Sequence, residues 1–240
     1  MQATSLRVIG FCAILCLALT PAAFGALDGP GDIAFVGWNA DGNDDFAFVA
    51  IVNINEGEVI VFTDNEWDGM AFNTGEAAMT WTAPMGGVAR GTVVTINSLQ
   101  SSPSASVGTL GGTIPALGAS NESLWAILGT TASPTAFLTA FSNDGDAGFT
   151  TLSGTGLTAG VNAIDFDGVA TDDDVFEYTG ARTGENDFSD YLALIHDTSN
   201  WVTQDGSGDQ SGDGTPPDLP FDTTAFDATV PVELMSFSID

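Results

Sequence analysis

Asp64, Asn65, Glu66 and Asp68 place four oxygen-bearing side chains within the five residues DNEWD, directly after an apolar run. Hard cations such as calcium take six to eight oxygen ligands, drawn from carboxylates, amide oxygens and backbone carbonyls. A Ca²⁺ site on this segment is the sharpest chemical reading of the chain. Asp41, Asn43, Asp44 and Asp45 form a second group of the same chemistry around a turn glycine. Asp144 with Asp146, and Asp172 to Asp174, are lesser groups. None has the spacing of an EF-hand loop. The competing reading is that these Asp and Asn residues serve turns, bonding to nearby backbone. The sequence leaves both readings open.

Other chemistries are poorly supplied. His196 is the sole histidine, so a multi-histidine metal centre is excluded, and any Ser-His-Asp triad would have to use it. It sits near the end of a short helical pattern, where a cationic ring has a structural use. Both cysteines, Cys12 and Cys16, lie in the leader described below, which removes disulfides, thiolate metal sites and cysteine nucleophiles from the mature chain. No nucleophile elbow or phosphate-binding loop is present. With 32 acids some carboxylates must come close, so a pair suited to glycoside cleavage carries no weight as a signal. Of the five tryptophans, Trp67 alone falls in a loop, flanked by Glu66 and Asp68. It is expected as a lid over a cation or as an apolar plug.

The acids stand against three arginines and no lysine, giving a formal net charge of −29. Such a chain repels nucleic acid and anionic membranes and attracts divalent cations. The apolar fraction of 44% argues for a folded core instead of acidic disorder. The acids are also clustered: none occurs from Ala77 to Asn121.

The first 25 residues read as an export signal. Arg7 is followed by the apolar run Val8 to Leu19, a Thr20-Pro21 break, and small residues at Ala23 and Gly25. The run is too short to span a bilayer, which takes about 20 residues. A secreted, extracellular or cell-surface location is expected, with no membrane insertion after cleavage.

These groups must be positioned by strands. Apolar runs at Asp32 to Trp38, Phe46 to Ile54, Glu58 to Thr63, Met79 to Ala83, Thr92 to Ile96, Leu124 to Leu128, Ala136 to Phe141 and Val175 to Thr179 are broken by Gly, Asn and Asp. Phe46 to Ile54 is apolar on both faces, so it is expected in the middle of a two-layer packing. If it pairs antiparallel with the next strand, the Asp41 and Asp64 groups share one rim. One short helix is expected, capped by Ser189, carrying Tyr191, Leu192, Leu194 and Ile195 and closing near Asn200. The fold class is all-β, a sandwich of mostly antiparallel strands with long Gly/Ser/Thr/Asp loops. Residues 1–25 form the leader, 26–204 the sandwich domain, 205–229 an acidic Gly/Pro-rich loop or linker, and 230–240 a C-terminal strand.

The stretch GDIAFVGWNADGNDDFAFVAIVNINEGEVIVFTDNEWDG, Gly31 to Gly69, resembles a recurrent β-sandwich module of secreted bacterial proteins, loosely related to lamin-tail-like domains. The tail VPVELMSFSID resembles the PVEL-SF segment of bacterial surface and sorted proteins; with the sequence ending at Asp240, no sorting module is expected to follow it. The resemblance implies an extracellular fold and no particular catalysis. Two functions follow as expectations. The first is a non-catalytic structural or adhesive surface module, calcium-stabilised, that meets surface or matrix components. The second is a carbohydrate-binding domain for glycans or a carboxylate-dependent hydrolase. Mass spectrometry of the exported protein is expected to give Ala26 as the N-terminus; an intact Met1 would refute the leader.

Overall fold

The computed structural model describes residues 26–143, 149–170 and 173–229. The leader, the Asp144/Asp146 pair, Asp172 and the strand expected at 230–240 lie outside the described residues.

Twelve strands form two six-stranded sheets. The first sheet is built from β1 (Ile33–Asn39), β2 (Asp45–Ala50), β5 (Val93–Asn97), β6 (Ser104–Ala105), β11 (Val175–Tyr178) and β12 (Trp201–Gln204), in the order β12-β11-β1-β2-β5-β6. The second is built from β3 (Val59–Thr63), β4 (Ala78–Thr82), β7 (Thr109–Gly112), β8 (Ser123–Thr130), β9 (Ser133–Ser142) and β10 (Ile164–Asp165), in the order β10-β9-β8-β3-β4-β7. All pairings are antiparallel except β9 with β10. The chain is therefore an all-β sandwich.

All eight expected strands are present. β2 is shorter than its apolar run because the N–H groups of Ile51 and Val52 both turn to the Asp32 carbonyl. It lies between β1 and β5, in the interior of its sheet as its two apolar faces require. β2 and β3 do not pair: they belong to different sheets, so the hairpin premise for a shared rim fails. The short edge strands β6 and β7 fall within a Gly/Ser/Thr stretch that reads as loop.

The inner faces meet through aromatic rings. Phe62 of the second sheet lies 4.9 Å from Phe46 and 5.4 Å from Phe48 of the first. Phe141 stacks on Trp38 at 4.6 Å and also meets Phe35, Phe166, Phe176 and Trp201. The outer face of the second sheet carries its own apolar cluster, with Trp125, Ile127 and Phe137 covered by Trp67, Phe72, Phe149 and Leu157. Residues 221–222 lie against the outer face of the first sheet. Phe221 packs where Gly37 leaves room, since a Cβ there would lie 2.8 Å from the ring. Phe226 stacks on Tyr178 and meets Tyr191 edge-on. Residues 205–229, expected as a loop or linker, thus pack onto the domain.

Among the described residues the one α-helix is α1 (Tyr191–Ile195), entered through a 3-10 turn at Phe188–Asp190. Asp187, not Ser189, precedes that turn, and its N–H is held by the Asp190 carboxylate at 3.1 Å. His196 ends the helix but is not the expected surface cation. Its ring is buried, its Nδ1 lies 2.8 Å from the Leu192 carbonyl, and desolvation pulls its pKa down to about 4, so it is neutral. Among the described residues, no helix is long and apolar enough to cross a membrane.

Phe141 joins both sheets, so its loss leaves a cavity that backbone shifts cannot close. Phe141→Ala is expected to lower stability by about 3–5 kcal/mol. The check is the midpoint of urea unfolding, with the slope unchanged.

Candidate functional site

The Asp41 and Asp64 groups lie at one end of the sandwich. This rim holds the end of β1, the start of β2, the end of β3, the starts of β8 and β11, and the end of β12. The Asp41 and Asp64 groups therefore share a rim after all, although from opposite sheets.

The segment between β7 and β8 joins them. The Ala116 amide lies near the Asp64 carboxylate and works against the rise in its pKa. Leu117 donates to Asp44 Oδ2 at 2.9 Å, and Gly118 to Glu122 Oε2 at 3.2 Å. Two successive backbone N–H groups thus serve carboxylates from opposite sheets. Asn143, fully buried, locks the segment: its Nδ2 donates to the carbonyls of Gly118 and Asp173, and its Oδ1 accepts from Glu122 N–H.

Asp64, Glu76 and Glu122 line one cleft of about 420 Å³, together with Gly75, Ala77, Thr113, Ile114 and Ala116. Asp64 leaves β3 buried, and its Oδ1 accepts Ala77 N–H at 2.8 Å. Desolvation raises its pKa. Glu76 is raised by partial burial and then by the charges of Glu66 and Asp64. Glu122 is pushed up to about 8 by burial, reinforced by Asp64 and Glu76 and opposed by the N–H groups of Ser123 and Gly118. Apart from Ile114, small residues and backbone complete the lining, and no cationic side chain is among them.

The rest of the DNEWD segment faces elsewhere. Asn65 is a structural bracket, with Nδ2 donating to Thr63 Oγ1 at 2.8 Å and to the Ala77 carbonyl at 3.0 Å. Its Oδ1 accepts Glu76 N–H, so it sets the 76–77 backbone that forms the cleft wall. Glu66 pairs with the Asn73 amide on the outside. Asp68 closes a turn by accepting Met70 and Ala71 N–H groups, which hold its carboxyl below the usual range. Trp67 is the plug and not the lid: it is buried against Phe72 and Phe137, with Nε1 donating to the Ser153 carbonyl at 2.9 Å.

In the second group, Asp45 is fully engaged by Ser98 N–H and Asn39 Nδ2. Asp44 Oδ2 also accepts from Gln100 Nε2 at 2.8 Å. Asn43 is exposed and offers its carbonyl to Gln100 N–H. Asp41 turns away, toward Gln210, whose N–H reaches Oδ2 at 2.9 Å. Sequence reasoning singled out neither Glu76 nor Glu122. The available signal was Glu122 itself, the acid that closes a 45-residue acid-free stretch just before a buried strand.

Among the described residues, no three His, Cys, Asp or Glu side chains lie close enough to hold a metal by themselves. An ion in the cleft would draw further oxygens from backbone carbonyls and water. The raised Glu122 carboxyl equally suits proton exchange near neutrality. No family model matches the chain, and no curated protein or solved structure matches it.

Glu122 fixes a pH dependence. Its folded pKa of about 8 lies above its ordinary 4.5, so between those values the folded chain holds a proton that the unfolded chain has released. Stability must fall as pH rises through that window. His196 acts oppositely and lower: its stabilising contribution is complete above 6.5 and is lost as pH falls toward 4. From pH 6.5 to 8, with divalent ions chelated, stability is expected to drop by at most about 2 kcal/mol. Glu122→Gln is expected to flatten that limb of the thermal-melting profile. A flat wild-type limb would contradict the assignment.

Proposed function

We propose that the chain is a non-catalytic module of an exported or cell-surface protein, structural or adhesive in role, with a divalent cation seated in the rim cleft. The observation that carries this reading is the arrival of Asp64, Glu76 and Glu122 from three separate segments at one cleft without a cationic side chain. Like charges a few ångströms apart repel, and a divalent ion turns that repulsion into ligation. All-oxygen donors on loop backbone favour calcium over softer metals. The resemblance of Gly31 to Gly69 to secreted β-sandwich modules agrees with this reading. So does the position of the cleft, since loops gathered at one end of a sandwich are where such folds carry recognition. The partners expected are surface or matrix components, met by the rim loops or by the bound ion.

The second reading is a carbohydrate-binding domain or a carboxylate-dependent hydrolase, and one observation favours it. Glu122 is half or more protonated at neutral pH and stands within electrostatic reach of Asp64, as an acid beside an ionised partner requires. Both Glu122 oxygens already accept backbone N–H groups, which suits a fixed ligand wall better than a mobile proton donor. A glycan array with a hydrolase panel separates the readings: turnover abolished by Glu122→Gln would establish the enzyme.

The cation reading is tested by thermal melting in calcium against sodium at matched ionic strength, because screening alone also relieves repulsion. Calcium at about 100 times its dissociation constant is expected to add about 2.7 kcal/mol. Asp64→Ala is expected to remove most of that difference, and Asp68→Ala to leave it intact. Equal responses to both salts would reduce the rim to a solvated surface.

A further inference from the structure

At the opposite end of the first sheet, where β2 ends and β5 begins, lies a second cleft of about 360 Å³. Ile51, Val52, Asn53, Arg90, Asp187 and Ser189 line it. Arg90 N–H donates to Asn53 Oδ1 at 2.9 Å, and the exposed guanidinium lies 4.8 Å from the centre of the Phe188 ring. Among the described residues the one ion pair is Arg182 with Asp222. No carboxylate there neutralises Arg90, not even that of Asp187 in the same cleft. In a chain with 32 acids and, beyond the expected leader, two arginines, an unmatched arginine is the exception.

The last described residues run beside this cleft. Phe226 N–H donates to the Gly91 carbonyl at 2.9 Å, next to Arg90. Asp227 pairs in parallel with Thr183, and its N–H reaches the Arg182 carbonyl at 2.8 Å. Thr229 N–H reaches the Glu185 carbonyl at 2.9 Å. The two segments run in the same direction, so the chain leaves Thr229 heading toward Asp187 and Ser189 in the cleft wall. Residue 231 is proline, which has no N–H to extend the ladder. The sequence that follows matches the cleft in charge and in polarity. From Val230 to Ile239 the one charged side chain is Glu233, flanked by the apolar Val232 and Leu234. Four residues beyond Thr229 give a reach of up to about 14 Å, which covers a cleft of this size.

We propose that residues 230–235 of this chain occupy the cleft, with the Glu233 carboxylate paired to Arg90 and the apolar flanks laid against Ile51 and Val52. The segment is a clasp that pins the C-terminal stretch at the end of the sandwich opposite the acid rim, and it leaves the rim loops clear for partners. It involves no cation and does not rest on the reading of the rim cleft.

Hydrogen exchange of the 232–236 amides in the intact chain, at neutral pH and low salt, tests this. Exchange in the wild type is expected to be about tenfold slower than in Glu233→Arg or in Arg90→Glu. Reversing both charges together is expected to restore the protection, which local damage at Arg90 would not do. The β2 and β8 amides serve as the control that each variant is folded. Wild-type exchange at the rate of an unstructured peptide would overturn the proposal. So would protection that survives either single reversal, or a double reversal that restores nothing. Protection that grows with protein concentration would assign the cleft to the tail of a second copy, and would overturn docking within the chain.

Discussion

Carboxylates buried with almost no positive charge to meet them are the constraint on which this structure depends. Beyond the expected leader the chain has Arg90 and Arg182 against 32 acids. Arg182 is spent on Asp222, Thr224 and the Tyr178 carbonyl. The neutralising work therefore falls to backbone N–H groups. Ala77, Leu117 and Gly118 serve Asp64, Asp44 and Glu122, while Ser98 serves Asp45 and Gln210 serves Asp41. Each such bond fixes the donor's loop as firmly as the acid. The rim loops are ordered by the charges that they solvate, and the 113–118 segment ties the two sheets together because its donors face acids of both.

That arrangement explains what was legible in the sequence. Strands announce themselves locally: Phe46, Phe48 and Ala50 alternate with Ala47 and Val49, and both sets are buried because β2 lies inside its sheet. The acid clusters are likewise local patterns. Partners are not. Asp44 and Leu117 are 73 positions apart, and Trp67 and Ser153 are 86 apart. Adjacency in DNEWD suggested a shared site, but successive residues leaving a strand point to opposite sides. Asp64 therefore enters the cleft while Trp67 enters the outer aromatic cluster. Glu122 stayed hidden because its chemistry comes from burial beside two acids from other segments. The premise that β2 and β3 pair failed for the same reason, since a connection as short as residues 51–58 serves a crossover between sheets as well as a hairpin.

The polarity of the fold follows from one residue. Asn143 spans Gly118, Glu122 and Asp173, and so connects the cleft on the second sheet with the β11 start on the first. Asp173 adjoins Asp174, whose carboxyl is raised to about 6 by burial and by Asp41, Asp205 and Asp173. The cleft and the start of β11 are then two parts of one desolvated, anionic pole. Burial raises carboxyl pKa values at both, and mutual repulsion adds to it. Protons and cations are the two species able to relieve such a pole, and they compete for the same oxygens. A rim that binds cations must therefore release protons in doing so, and its affinity must rise with pH through the range where Glu122 and Asp174 titrate. The neutral, buried His196 lies away from these acids and takes no part, so that pH response belongs to the carboxylates alone.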